Sequence, residues 1–144
     1  MAVTYTNNWK NILTALMSKI KAEMKCPVFS DFDESNNANQ FVRLVPRGST
    51  LVELATFLEV REFDIGVQYF FAKRDNKKFQ NYVLNQVSIL EALIHDNITL
   101  TLADSTKLVN VSLDDLELNV ELDGFEDYFI AEWTLTGTHY GNAA

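Results

Sequence analysis

Residues 63–71 read Phe63-Asp64-Ile65-Gly66-Val67-Gln68-Tyr69-Phe70-Phe71. Phe63, Ile65, Val67, Tyr69 and Phe71 occupy every second position, with Glu62, Asp64, Gly66 and Gln68 between them. Side chains of an extended strand point alternately to its two faces, so this pattern predicts a strand with one face in a core. Phe70 opposes the alternation and puts a large ring on the polar side. The stretch Tyr128-Phe129-Ile130-Ala131-Glu132-Trp133-Thr134-Leu135 repeats the problem. Either Tyr128 and Ile130, or Phe129 and Trp133, must point away from the main core. A layer of two helices covers one sheet face only. The second face is therefore also buried, or it meets another subunit.

Working outward, Val52, Leu54, Leu58 and Val60 alternate in the same way and predict a neighbouring strand, so that residues 51–72 form a long hairpin. A charged bend at Glu59, Arg61 and Glu62 separates the two without a tight turn signal. A shorter strand is predicted over residues 40–45. It leads into residues 44–49, Leu44-Val45-Pro46-Arg47-Gly48-Ser49, which read as a turn because proline presets φ and glycine supplies left-handed freedom. The hexapeptide matches a thrombin-cleavage linker, but strand-like sequence on both sides marks it as part of the fold.

Two helices are predicted. In the first, Trp9, Ile12, Leu13, Leu16, Met17, Ile20 and Met24 recur at intervals of three and four; Asn7 or Asn8 caps it and Pro27 stops it. Its outer face carries Lys10, Lys19, Lys21 and Lys25 against Glu23. In the second, Phe79, Tyr82, Val83, Gln86, Val87, Leu90, Leu93 and Ile94 form the stripe, Asp75 is the expected N-cap and residues 95–97 end it. Three β segments follow, near 98–102, 107–122 and 127–138, with Asp123-Gly124 as a turn. Helices grouped on one face of a mostly antiparallel sheet with a long hairpin make an α+β fold, and 144 residues fit one domain spanning 1–144.

Little in the chain points to catalysis or to a cofactor. The two histidines, His95 and His139, stand at a helix end and near the C-terminus; Cys26 is the one cysteine; phosphate-loop and dinucleotide fingerprints are absent. Asp31, Asp33 and Glu34 resemble the start of a calcium loop but lack its glycine and closing acid, and read as part of a solvated loop over residues 31–39. Lys73, Arg74, Lys77 and Lys78 form one basic cluster, read as a solvated helix start. No apolar run approaches the roughly 20 residues of a membrane span, and the N-terminus has no secretion signal. The formal net charge is -8, and it is uneven: from Glu91 to Glu132 there are eleven acids and one base, Lys107. Such a balance opposes DNA binding. On the wall of a ring it would let DNA slide without sticking.

The order and pattern of these elements resemble the tail terminator family of tailed bacteriophages, also called tail-completion or head-tail joining proteins. The resemblance is carried by the helix over residues 8–25, the Val28-Phe29 strand and Phe41-Val42-Arg43-Leu44-Val45-Pro46. The hairpin ending Ile65-Gly66-Val67-Gln68-Tyr69-Phe70-Phe71, the helix over 79–94 and the aromatic strand over 127–140 complete it. It implies a non-enzymatic virion protein of the neck and tail, assembled in the host cytoplasm and free of cofactors. It implies a hexameric ring of self-associated copies that caps the tail tube protein, ends its polymerisation and meets the head-completion or connector protein. DNA passes through without specific binding. By analogy the helices lie outside, the sheets join around the ring, and loops touch tube and head. The expected partner-contact loops contain Asp31, Asp33 and Glu34, and Pro46, Arg47 and Gly48. The expected bore-lining acids are Asp114, Asp115, Glu117, Glu121 and Asp123. Other readings are a neck adaptor or tail tube subunit and, of a different class, a small α+β ligand-binding module or enzyme with a closed apolar pocket.

Overall fold

A computed structural model describes residues 5–30, 38–74 and 77–141. Helix α1 (Asn8–Met24) is capped by Asn7, whose side chain accepts from the Lys10 amide, and it ends where Lys25 turns left-handed. Strand β1 (Val28–Ser30) follows. The long strands β2 (Gln40–Ala55) and β3 (Leu58–Ala72) pair as a hairpin, then come helix α2 (Phe79–His95), β4 (Leu100–Thr101), β5 (Lys107–Leu118) and β6 (Tyr128–Gly141). The strands form one six-stranded sheet in the order β1-β2-β3-β6-β5-β4, antiparallel except where β1 runs parallel to β2. This is the expected α+β architecture.

β3 and its neighbours set the core. In successive rows, Val42 opposes Tyr69 and Ala131, Leu44 opposes Val67 and Trp133, and Pro46 opposes Ile65 and Leu135. These side chains share one face. Ile12, Leu16 and Ile20 of α1 and Val83, Val87, Leu90 and Ile94 of α2 pack onto it, all nearly inaccessible. A polar knot sits within this layer. The Tyr69 hydroxyl accepts from Gln40 Nε2 at 2.5 Å and donates to Gln86 Oε1 at 3.3 Å, while the Tyr82 hydroxyl donates to Gln40 Oε1 at 2.6 Å. Strands β2 and β3 are thereby tied to α2 with the buried polar atoms satisfied. Burial pushes the Tyr69 phenol and the nearby Cys26 thiol upward, so both are neutral near pH 7.

The second face is buried at one end only. Phe41, Phe70 and Ile130 form a row there, with Phe41 and Phe70 stacked at 4.4 Å. The segment after β5 folds back over them: the Val120 amide donates to the Ile130 carbonyl, and Leu122, Phe125 and Tyr128 pack on the row. Tyr128 and Ile130 thus face this cluster, while Phe129 and Trp133 face the helices. Gly124 turns the segment with φ +86°, as the Asp123-Gly124 pair predicts.

Three expectations are corrected. Residues 46–49 are not a turn: they lie inside β2, where a bulge between Pro46 and Gly48 makes Arg47 an extra residue. The chain reverses instead at residues 56–57, with Phe57 left-handed at φ 68°. Asp75 lies outside the described residues, and the cap position of α2 is Lys78, with no side-chain cap hydrogen bond. Strand β5 stops at Leu118, so Val120 and Leu122 lie in the segment that folds back.

His139 closes the hairpin end of the sheet. It is 3% exposed, and its Nε2 lies 2.8 Å from the Thr106 hydroxyl. That hydroxyl donates to Asp104 Oδ1 at 2.5 Å, so it accepts from an Nε2–H imidazole. Burial holds the imidazole below its usual 6.5, against the opposite pull of Asp104 and Glu59. A histidine that binds its proton less readily when folded loses stability as pH falls. The contribution is complete above 6.5 and declines as pH drops through 6.5 toward the folded value. The thermal midpoint should therefore be lower at about pH 5.5 than at about pH 7.5, and His139→Gln should flatten that difference. A variant that keeps the whole difference would assign it to other groups.

Candidate functional site

The other end of the second sheet face is open and polar. Its rows follow from the register. Arg43, Gln68, Glu132 and Glu117 form one, and Gly66, Thr134 and Asp114 the next. Gly48, Asp64, Thr136 and Ser112 come after, then Thr50, Glu62 and Thr138. Along β6 the odd positions from 131 to 139 are buried beneath the helices, and Glu132, Thr134, Thr136 and Thr138 stand half-buried on this open face. Hydroxyls and carboxylates therefore dominate it.

Two arginines are held flat against this face. Arg43 Nε donates to Gln68 Oε1 at 2.9 Å, and Gln68 Nε2 donates to Glu132 Oε2 at 2.5 Å. The Arg43 guanidinium also lies over the Phe70 and Phe125 rings, at 5.4 and 5.3 Å, where polar and apolar ends meet. Arg47 reaches across β3: it pairs with Glu132 at 3.3 Å and donates to Thr134 Oγ1 at 3.3 Å. Gly66 makes that crossing possible, since a Cβ there would lie 2.7 Å from Arg47 Nε. The glycine inside the strand is a passage for a side chain. The bulge at Arg47 aims that side chain inward.

The expected site residues are distributed unevenly. Asp31, Asp33 and Glu34 lie outside the described residues. Pro46, Arg47 and Gly48 belong to β2 rather than to a loop. Asp114 and Glu117 pair with Thr134 and Glu132 of the open face, and Asp115 is a left-handed bulge residue at φ 54°. All three are exposed. Glu121 and Asp123 are separate from them, in the segment over the apolar end, lining a shallow cleft of about 430 Å³ with Lys73 and Phe125. Sequence reasoning missed Glu62, Asp64 and Glu132 as members of the same acidic face. Their alternation with Phe63, Ile65 and Trp133 was the available signal.

Both sheet edges are largely bare among the described residues. β1 covers β2 only at Val42 to Leu44, leaving the outer backbone of β2 open beyond the bulge. β4 covers β5 only at Lys107 and Leu108. The Val111 amide donates to the Ile98 carbonyl, and β5 then continues to Leu118 as an edge. Such edges are templates for pairing with another chain.

Comparison with known proteins places the fold. No protein-family model matches the chain, and no curated protein matches it in sequence. Solved structures do match. One is a chain of the virion of a native gene transfer agent particle: TM-score 0.66, 12% identity, covering 95% of this chain and 100% of that one. Another is a chain of an extracellular contractile injection system, in the structure of the PVC sheath/tube terminator in its extended state. It gives a TM-score of 0.56 and 11% identity over 99% of this chain and 58% of that one. At these identities the likeness is one of fold.

Gln68 is 4% exposed and bridges both charged partners. Gln68→Ala should lower stability by about 1–3 kcal/mol in denaturant titration, the cost of stranding buried polar groups. A loss under about 0.5 kcal/mol would mean that water replaces the bridge without penalty.

Proposed function

We propose that this chain is a non-enzymatic structural subunit of a phage-like tail, a terminator that assembles as a ring on the end of the tail tube. In this reading the ring halts tube polymerisation and offers its other side to the head-completion or connector protein. Its partners are further copies of itself, six in all, the tube protein and the connector. It belongs to the virion neck and tail and is assembled in the host cytoplasm.

One observation carries the reading. Among the described residues the sheet has largely bare edges on opposite sides, β2 at one and β5 at the other, in a fold shared with a gene transfer agent virion chain and with an injection-system terminator structure. Contact between unlike edges is head-to-tail, and head-to-tail contacts close into rings when the rotation allows. The helices then lie outside, and the open polar face lines the bore. Glu62, Asp64, Asp114, Glu117 and Glu132 make that wall acidic, while Arg43 and Arg47 are engaged with Gln68, Glu132 and Thr134. DNA would be repelled along its length rather than held. Glu121 and Asp123 belong to the rim of this arrangement.

Light scattering and negative-stain imaging of the purified protein, alone and with tail tubes, should give closed rings or one cap on each tube end. Indefinite tubes would identify a tube subunit instead. A single copy that ignores tubes would overturn the reading. For the bore, the triple change Asp114→Lys, Asp115→Lys and Glu117→Lys should create duplex DNA binding that weakens steeply with salt. Rings that still ignore DNA after this reversal would remove those acids from the wall.

A further inference from the structure

In the outer half of the β2–β3 hairpin the β2 side lies exposed, while the β3 side buries Val60 and Phe63 in its own core. From Ser49 to Phe57 every residue is exposed. Leu51, Val52 and Leu54 are 45%, 60% and 63% exposed, and Phe57 is 78% exposed. β6 flanks β3 as far as Glu59 opposite Gly141, so only the tip around residues 56–58 stands beyond it. At its tip Phe57 adopts a left-handed backbone, φ 68°, in a two-residue turn where glycine or asparagine is favoured. An L-residue with a bulky side chain is strained in that backbone region. The chain thus holds a strained residue at the tip of an arm and presents its ring to solvent. Glu53, Glu59 and Glu62 make the arm acidic, and its one base, Arg61, is paired with Glu59 at 2.7 Å.

A complementary surface lies at the opposite edge of the sheet. A trough of about 500 Å³ runs between α1 and β4, lined by Thr14, Ala15, Ser18 and Lys19 on the helix and Leu100 and Thr101 on the strand. Its bank on β4 is the last strand of the sheet, with an open backbone edge. The exposed surface of α1 carries Lys10, Lys19, Lys21 and Lys25 against Glu23, and Lys107 stands beside Thr101. Asp104, in the turn after β4, is occupied by Thr106. A small-residue trough edged with lysine thus matches an apolar tip edged with glutamate. β6 and β5 stand between the hairpin and β4, spaced about 4.8 Å per strand, and the arm points out of the sheet end. An arm so placed meets the trough of another copy, not its own.

We infer that the arm is a clasp between copies: the Leu54 and Phe57 side chains of one copy seat in the α1–β4 trough of the next, with Glu53 set against Lys19 and its neighbours. The inference rests on the ring reading and specifies which surfaces join. The arm belongs to one sheet edge and the trough to the other, so each copy both gives and receives, as a head-to-tail ring requires.

The test uses Phe57→Asn, which suits the turn, and the pair Phe57→Cys with Ser18→Cys treated with a short bis-maleimide. Cys26 is buried and remains in place. Phe57→Asn should keep or raise the unfolding midpoint while weakening ring assembly at least about tenfold, as loss of a central aromatic anchor does. The cysteine pair should give a ladder of covalent multimers, and neither single cysteine should. Rings that form at wild-type concentration in Phe57→Asn, with no ladder from the pair, would overturn the clasp and leave the ring reading standing. Normal rings that no longer cap tubes would also overturn it, by assigning the arm to the tube. A wild-type chain that stays single with and without tubes would defeat both readings.

Discussion

Everything in this fold is referred to the pairing of β3. It is hydrogen-bonded along most of its length to β2 on one side and β6 on the other, so its register fixes which side chains of three strands share a face. Leu44, Val67 and Trp133 stand in one row under the helices, and Trp133 Nε1 donates to Glu91 of α2 at 3.2 Å. A slip of β3 by one residue would send Val67 and its apolar row-mates on β3 outward and bring Gln68 inward. The penalty is large in both directions. Each large apolar side chain exposed forfeits about 1.5–3 kcal/mol, and a charge buried without its partner costs more. The same register therefore builds the core and the polar face at once.

That dependence explains what was legible in the sequence. Alternation over 63–71 and the helical stripes of α1 and α2 report burial directly, because period and burial are the same fact seen along the chain. The puzzle of Phe70 and Ile130 was visible as a conflict between two faces. Its solution was not, because the segment over residues 119–128 covers them by tertiary folding and has no period of its own. The Pro-Arg-Gly-Ser stretch was misread for a physical reason. Proline and glycine mark turns when nothing else claims them, yet both are tolerated at an edge strand and at a bulge. β2 supplies both, and the real turn at Thr56-Phe57 carries neither residue.

The candidate site was legible only in part for a related reason. Counting charge located the acidic half of the chain, but a face is assembled across strands. Asp64 from β3 and Glu132 from β6 join Asp114 and Glu117 of β5 by register, whereas Glu121 and Asp123, close in sequence, lie over the apolar end. Arg47 is the converse case. Its sequence neighbours suggested a loop contact, and its side chain instead crosses Gly66 to neutralise Glu132. The bulge and the glycine are two parts of one device, since without the extra residue the guanidinium would not be aimed and without the bare Cα it would not fit.

The parts of the structure that a single copy leaves unsatisfied are concentrated rather than scattered. Among the described residues, two largely bare strand edges, four exposed apolar side chains on one arm and a left-handed phenylalanine at its tip each lower the solubility or stability of an isolated chain. Elsewhere the chain is conservative: among the described residues, buried side-chain polar atoms all have partners, and even the outward rings of Phe41 and Phe70 are covered. A sequence that manages its interior this strictly and leaves one arm and two edges uncovered has placed its unmet needs where a second copy can meet them.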